Sequence, residues 1–211
     1  MYETAELLLK EIDDKFETIK SELKFENSWQ MMVAVILSAQ STDKIVNKIT
    51  SQLFDKYPEV SDYVDLDIEE LQNLIYSSGF YKSKAKNIKK SAKLICSEYD
   101  CVVPDTMEEL LKLPGIGRKS ANVILHNYFN KNKGVVVDTH VKRVSRRLDL
   151  TSHKSPDKIE KDLMEVFDKK DWPTVSNGVV LFGRYICKAR NPECNQCNLT
   201  KKCTYFKKLE K

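Results

Sequence analysis

The chain has 211 residues, 41% of them hydrophobic and 31% charged, with a formal net charge of +4. This is the composition of a soluble globular protein with one large domain or two small ones, and it excludes disordered and collagen-like chains. The longest apolar run, Met31 to Leu37, is far short of the roughly 18 to 20 residues that a spanning helix requires. The acid-rich stretch Met1 to Lys20 lacks the basic-then-apolar order of a signal peptide, so no membrane association is expected and the setting is intracellular, cytoplasmic or nucleoid-associated. Six glycines and six prolines provide too few turn residues for an all-β fold, which favours an α-rich one.

In chain order, Leu8, Ile12, Phe16 and Ile19 predict one amphipathic helix. Met31 to Leu37 reads as a buried helix, and Thr42 opens the next. Asp67 precedes the stripe Ile68, Leu71, Leu74 and Ile75 as an N-cap, and Ser83 predicts a further helix start. Thr106 with Glu109 has the form of a capping box before a short apolar helix, Leu110, Leu111 and Leu113, that stops at Pro114. Val135, Val136 and Val137 lack a partner hairpin and read as a buried connection rather than a strand. Asp138 then stands before the helical pattern Val141, Val144 and Leu148, and Ser155 with Pro156 opens another helix.

The charge is uneven. From Arg184 to Lys211 there are eight Lys or Arg and two acids, which is either a solvated tail or an electrostatic footprint for a polyanion. The same segment holds Cys187, Cys194, Cys197 and Cys203 in the order C-x6-C-x2-C-x5-C. Disulfides suit an intracellular chain poorly. A metal is the stronger reading, because close thiolates repel unless a cation neutralises them. Zinc favours two facing C-x2-C pairs and only one is present, so the spacing suits a [4Fe-4S] cluster better. Its net charge with four thiolates, about −2, would be offset by Arg184, Lys188, Arg190, Lys201 and Lys202. Cys96 and Cys101 read as buried free thiols without a function.

Leu113 to Ala121 places Gly115 and Gly117 between two helical patterns, followed by Arg118 and Lys119. Two glycines one residue apart permit a sharp turn, and the amides that open the following helix form a phosphate site; a plain helix-helix turn is the simpler alternative. Lys119 puts an amine in the first turn of that helix, where the positive end of the dipole disfavours a cation, and a neutral amine is a nucleophile. Lys119 is either such a nucleophile or a surface phosphate contact. Asp138 is the candidate carboxylate partner. The helix after Gly117 advances about 18 Å and Asn130 to Val137 spans up to about 26 Å when extended, so the chain is long enough to return. A simple N-cap role for Asp138 is compatible with this.

These residues, together with Leu37 to Asp43 and Gly79 to Ala85, resemble the endonuclease III family of helix-hairpin-helix DNA glycosylases over nearly the whole chain. The resemblance implies an all-α fold of two helical domains with a DNA-binding cleft between them: 23–132 with the helix-hairpin-helix, and 1–22 plus 133–211 with the [4Fe-4S] cluster loop. It further implies a monomeric bifunctional DNA glycosylase and AP lyase that excises oxidised pyrimidines from double-stranded DNA and cleaves at abasic sites. Lys119 would attack the sugar C1′ and Asp138 would assist it; Cys187, Cys194, Cys197 and Cys203 would hold the cluster. Gln40 and Phe80 would fill the gap left by the extruded nucleotide, and Gly115, Gly117, Arg118, Lys188 and Arg190 would contact DNA. Without the resemblance, Gln40 reads equally as a helix-end polar residue and Phe80 as a core aromatic. The chain departs from the family pattern in Asn130 to Gly134, which has one glycine and no proline, and in the small residues Ser176, Asn177 and Gly178. A non-catalytic iron-sulfur module that binds DNA or senses redox state is the alternative.

Overall fold

The structure is a computed structural model that describes residues 1–209. Among the described residues the regular elements are all helices, and none is long and apolar enough to cross a membrane. The chain divides into two compact units, one of residues 21–131 and one of residues 1–20 with the chain from Asn132 onward, each around its own hydrophobic cluster.

The 21–131 unit contains α2 (Ser28–Ser38), α3 (Asp43–Lys56), α4 (Asp62–Asp65), α5 (Ile68–Leu74), α6 (Tyr81–Glu98), α7 (Met107–Leu110) and α8 (Arg118–Asn127), while α1 (Tyr2–Lys15) belongs to the other unit. Helix α2 is its centre: every residue from Trp29 to Leu37 is buried, because this helix is apolar all round and the surrounding helices cover each face. Burying side chains of this size contributes about 1.5 to 3 kcal/mol apiece. Side-chain caps hold the helix starts, at Thr42 and Asp67 as expected and at Asn27 as well. Asn27 accepts from the Gln30 amide, Thr42 from Ile45, and Asp67 from both Glu69 and Glu70.

Two local expectations are corrected in this unit. Helix α6 begins at Tyr81, not Ser83, because Phe80 takes a left-handed conformation (φ 59°) and turns the chain into the helix. Cys96 and Cys101 are not free buried thiols but a disulfide. Helix α6 ends at Glu98, and Asp100 and Cys101 both adopt positive φ while the Cys101 amide donates to Ile95 O. The chain thereby folds back over the last turn and brings Cys101 to Cys96.

The second unit packs α1 with α9 (Thr139–Arg147), α10 (Pro156–Val166), α11 (Trp172–Tyr185) and α12 (Phe206–Leu209). Helix α1 stops at Lys15, so Phe16 and Ile19 pack against this core from outside the helix. Val135, Val136 and Val137 form the expected buried connection, held where Val136 N donates to the buried Ser176 Oγ. Small residues on α11 allow close approach. A Cβ at Gly183 would lie 2.9 Å from His140 Cβ, so α9 and α11 touch there as only glycine permits.

Candidate functional site

In the 21–131 unit, the hairpin between α7 and α8 runs from Leu111 to Gly117. Thr106 caps α7 by accepting from the Glu109 amide, but its hydroxyl donates to Glu109 Oε2 at 2.6 Å, so the reciprocal bond of a capping box is replaced by a side-chain pair. Gly115 sits at φ +85°, and a Cβ there would approach Asn87 Nδ2 to 2.9 Å; both the turn and the closeness of α6 demand glycine. Ser91 Oγ on α6 donates to Pro114 O at 3.0 Å and fixes the hairpin from below. The N-cap of α8 is Gly117, which brings no side-chain acceptor to the first-turn amides. This is the arrangement in which a helix N-terminus receives an anion. Lys119 is exposed in that first turn.

Gln40 and Phe80 occupy two neighbouring turns of the same unit. Both are exposed and both adopt left-handed backbone, φ 55° and 59°. Phe80 is 68% exposed, which excludes the core-aromatic reading. Such a conformation costs on the order of 1 kcal/mol or more at a non-glycine residue and persists where surroundings over-determine it. Lys84 supplies that surrounding. It is buried on α6, and its ammonium donates to Leu37 O at 2.8 Å and Ser41 Oγ at 3.3 Å, clasping the turn that carries Gln40. Burial holds its pKa below the ordinary lysine value.

In the second unit, Asp138 caps α9. Its Oδ1 accepts from the His140 and Val141 amides, each at 2.8 Å, and Oδ2 lies 2.9 Å from His140 Nδ1. The carboxylate is therefore fixed in one orientation, half-buried, with the imidazole beside it. His140, without an assigned role in the sequence, is its immediate partner.

Cys187, Cys194, Cys197 and Cys203 are all free and line one pocket with Leu148, Phe182 and Ile186. No group of three or more His, Cys, Asp or Glu among the described residues is set to hold a metal ion. Burial raises the Cys197 thiol to about 11 and also raises Cys194, with the neighbouring cysteines adding to both. Thiolates at Cys194 and Cys197 are thus unfavourable here unless a positively charged core compensates them. The loop is held from three sides. Arg143 donates to Cys187 O at 3.0 Å and Gly183 O at 2.7 Å; Arg147 donates to Lys188 O at 2.7 Å and lies 3.3 Å from Cys187 Sγ. The buried Glu11 of α1 accepts from Asn198 Nδ2 at 2.8 Å and from its amide at 3.2 Å. Of the two basic loop residues singled out in the sequence, Lys188 is paired with Glu193 at 2.8 Å, whereas Arg190 is exposed.

A basic face on α9 went unread in the sequence. Lys142, Arg143, Arg146 and Arg147 line a pocket with Thr204, Tyr205 and Lys208. Their spacing, two adjacent pairs one turn apart, is the signal that marks it.

Residues 33–169 match the HhH-GPD superfamily of base excision DNA repair proteins. The chain is 46% identical to endonuclease III of Synechocystis sp., over 86% of this chain and 83% of that protein. It is 44% identical to endonuclease III of Bacillus subtilis, over 98% and 94%. Among solved structures, it is similar to a trapped endonuclease III–DNA covalent intermediate with a TM-score of 0.94 and 39% identity, covering 100% of this chain and 99% of the other. A thermostable thymine-DNA glycosylase, 22% identical with a TM-score of 0.82 over 96% and 94%, shares the fold.

Proposed function

Because the chain belongs to the endonuclease III family, within the HhH-GPD superfamily of base excision DNA repair proteins, we propose that it is a bifunctional DNA glycosylase and AP lyase. Its substrate is duplex DNA carrying an oxidised pyrimidine or an abasic site, and it acts as a monomer. The observation that carries this reading is the likeness along the whole chain to an endonuclease III captured in covalent linkage to DNA, together with an exposed lysine in the first turn after the hairpin.

The target nucleotide must leave the duplex, at a cost of a few kcal/mol that damage lowers. Gln40 and Phe80, displayed on two rigid turns, take the vacated space. The Gly115 to Arg118 segment and Arg190 bind phosphates, with Lys188 joining them once it leaves Glu193. Lys119, in its neutral form, attacks C1′ through its Nζ lone pair, and the C1′–N bond breaks with its electrons leaving on the base. The Asp138 carboxylate stabilises the positive charge that develops on the sugar and assists the proton's departure from Lys119. Opening of the sugar ring gives an imine with Lys119. Loss of a C2′ proton then expels the 3′ phosphate and cleaves the strand.

Cys187, Cys194, Cys197 and Cys203 would hold a [4Fe-4S] cluster, a reading supported by the four free cysteines lining one pocket. The cluster supplies a positively charged core that ties the thiolates together, and the catalytic steps above use protein groups alone. Borohydride reduction of the imine tests the function. The parent chain is expected to yield a covalent adduct with abasic duplex, and Lys119→Ala none while still retarding the duplex in a gel. An adduct of equal yield from Lys119→Ala would remove that lysine from the mechanism; binding without any adduct from the parent would leave a non-catalytic DNA-binding module.

A further inference from the structure

The basic pocket on α9 belongs to neither the hairpin nor the cysteine loop. Its cations fall into two groups. Arg143 and Arg147 are structural, their guanidinium donors spent on the carbonyls of Gly183, Cys187, Lys188 and Ala189. Carbonyls do not neutralise charge, so both residues still contribute positive potential, although Cys187 Sγ shares that of Arg147. Lys142, Arg146 and Lys208 line the pocket as well, and no acidic side chain is among its lining residues. Lys142 and Arg146 are one helical turn apart, about 6 Å along the axis, a spacing that addresses neighbouring anions separately.

We propose that Lys142, Arg146 and Lys208 form a second phosphodiester-binding site that grips the DNA backbone away from the reacting sugar. The proposal rests on the glycosylase reading above and extends its DNA contacts to a surface that the sequence motifs do not include. Three features select a backbone over a free nucleotide. The pocket starts at Thr139, the residue that follows the catalytic Asp138. Arg146 and Lys208 are exposed at its rim, as suits a polymer that continues past the site. The one aromatic ring in the pocket, Tyr205, is covered on one face by Arg147, 3.8 Å from the ring centroid, so stacking on a base is restricted and the contact reads phosphate rather than sequence.

The test is the salt dependence of binding to a fluorescent duplex that carries a stable abasic analogue, measured by anisotropy over a series of KCl concentrations. Each phosphate contact contributes about 0.9 to the slope of log K against log[salt]. The triple variant Lys142→Gln/Arg146→Gln/Lys208→Gln is therefore expected to have a slope shallower by about 2 to 3. Its visible absorbance should equal that of the parent, and so should its borohydride adduct at saturating DNA and low salt. If the triple variant fails to fold, the single variants Arg146→Gln and Lys208→Gln, both at exposed positions, should each lower the slope by about 0.9. An unchanged slope in the variants, with a parent that still forms the adduct, overturns the pocket and leaves the glycosylase reading intact; a parent that neither binds nor traps the duplex overturns both. A parallel thermal-shift arm uses inorganic tripolyphosphate. Stabilisation by that anion, lost in the variants while the DNA slope stays the same, would make the pocket a site for free polyphosphate and overturn the backbone assignment.

Discussion

The Asp138 carboxylate accepts two backbone amides and meets the His140 ring, so one side chain both starts a helix and provides the proposed catalytic charge. Two substitutions separate these duties. Asparagine retains an acceptor oxygen of the same reach and is as good an N-cap as aspartate. Asp138→Asn is thus expected to fold with the parent's stability while base removal slows on the order of 100-fold or more, the scale of losing one electrostatic stabiliser. Asp138→Ala loses the charge and the cap together, and its stability should fall by about 1 kcal/mol in addition. Single-turnover base release and urea unfolding, measured on both variants, check the pair; an Asn variant with unchanged base release would reduce Asp138 to a cap. The cap and the helix it opens were legible in the sequence because an N-cap is a local motif. The His140 contact was not, since its residue type and spacing leave the ring's direction open.

At the scale of elements, α1 matters to the cysteine loop through one buried acid. Glu11 holds Asn198, 187 positions away and one residue beyond Cys197. Removing its carboxylate leaves the Asn198 donors to water, because Asn198 is exposed, and takes away the tie between α1 and the loop, a loss of about 0.5 to 1.5 kcal/mol per hydrogen bond. Glu11→Ala is expected to purify with fewer than the parent's irons per chain and weaker visible absorbance, whereas Glu11→Gln, whose carbonyl still accepts, should retain more. Equal iron in all three would show that α1 packs beside the loop without fixing it. Periodicity did reveal the inward stripe Leu8 and Ile12, but an acid beside a stripe reads as solvated unless its distant partner is known. The same blindness to long-range contacts explains Phe16 and Ile19, which fit the helical period yet pack from an extended segment. Ser83 failed for a different reason. A left-handed Phe80 starts α6 at Tyr81, two residues earlier, and propensity disfavours that conformation for a bulky residue. On α9, attention to Val141, Val144 and Leu148 found the buried face and passed over the basic face between them.

For the whole molecule, the decisive feature is that the two compact units have separate hydrophobic clusters, with the four cysteines belonging to the second. Cys203 is part of that second cluster, and Cys187 and Cys197 pack against it. The carbonyls that Arg143 and Arg147 bind lie in the loop and the end of α11, so loss of the proposed iron-sulfur cluster is expected to release restraints on α9 and α11. The apolar burial that stabilises α2 and its neighbours involves none of these residues. Oxidative removal of the proposed iron-sulfur cluster, followed by amide hydrogen exchange, should therefore raise exchange across residues 139–147 and 183–203 while amides of residues 31–37 and 85–95 retain their protection. Uniform loss of protection in both sets would mean that the two clusters open as one cooperative unit. Retained protection in both would mean that the arginine–carbonyl clasp holds the loop without a metal core, and iron would then serve the chain in some way other than holding its fold together.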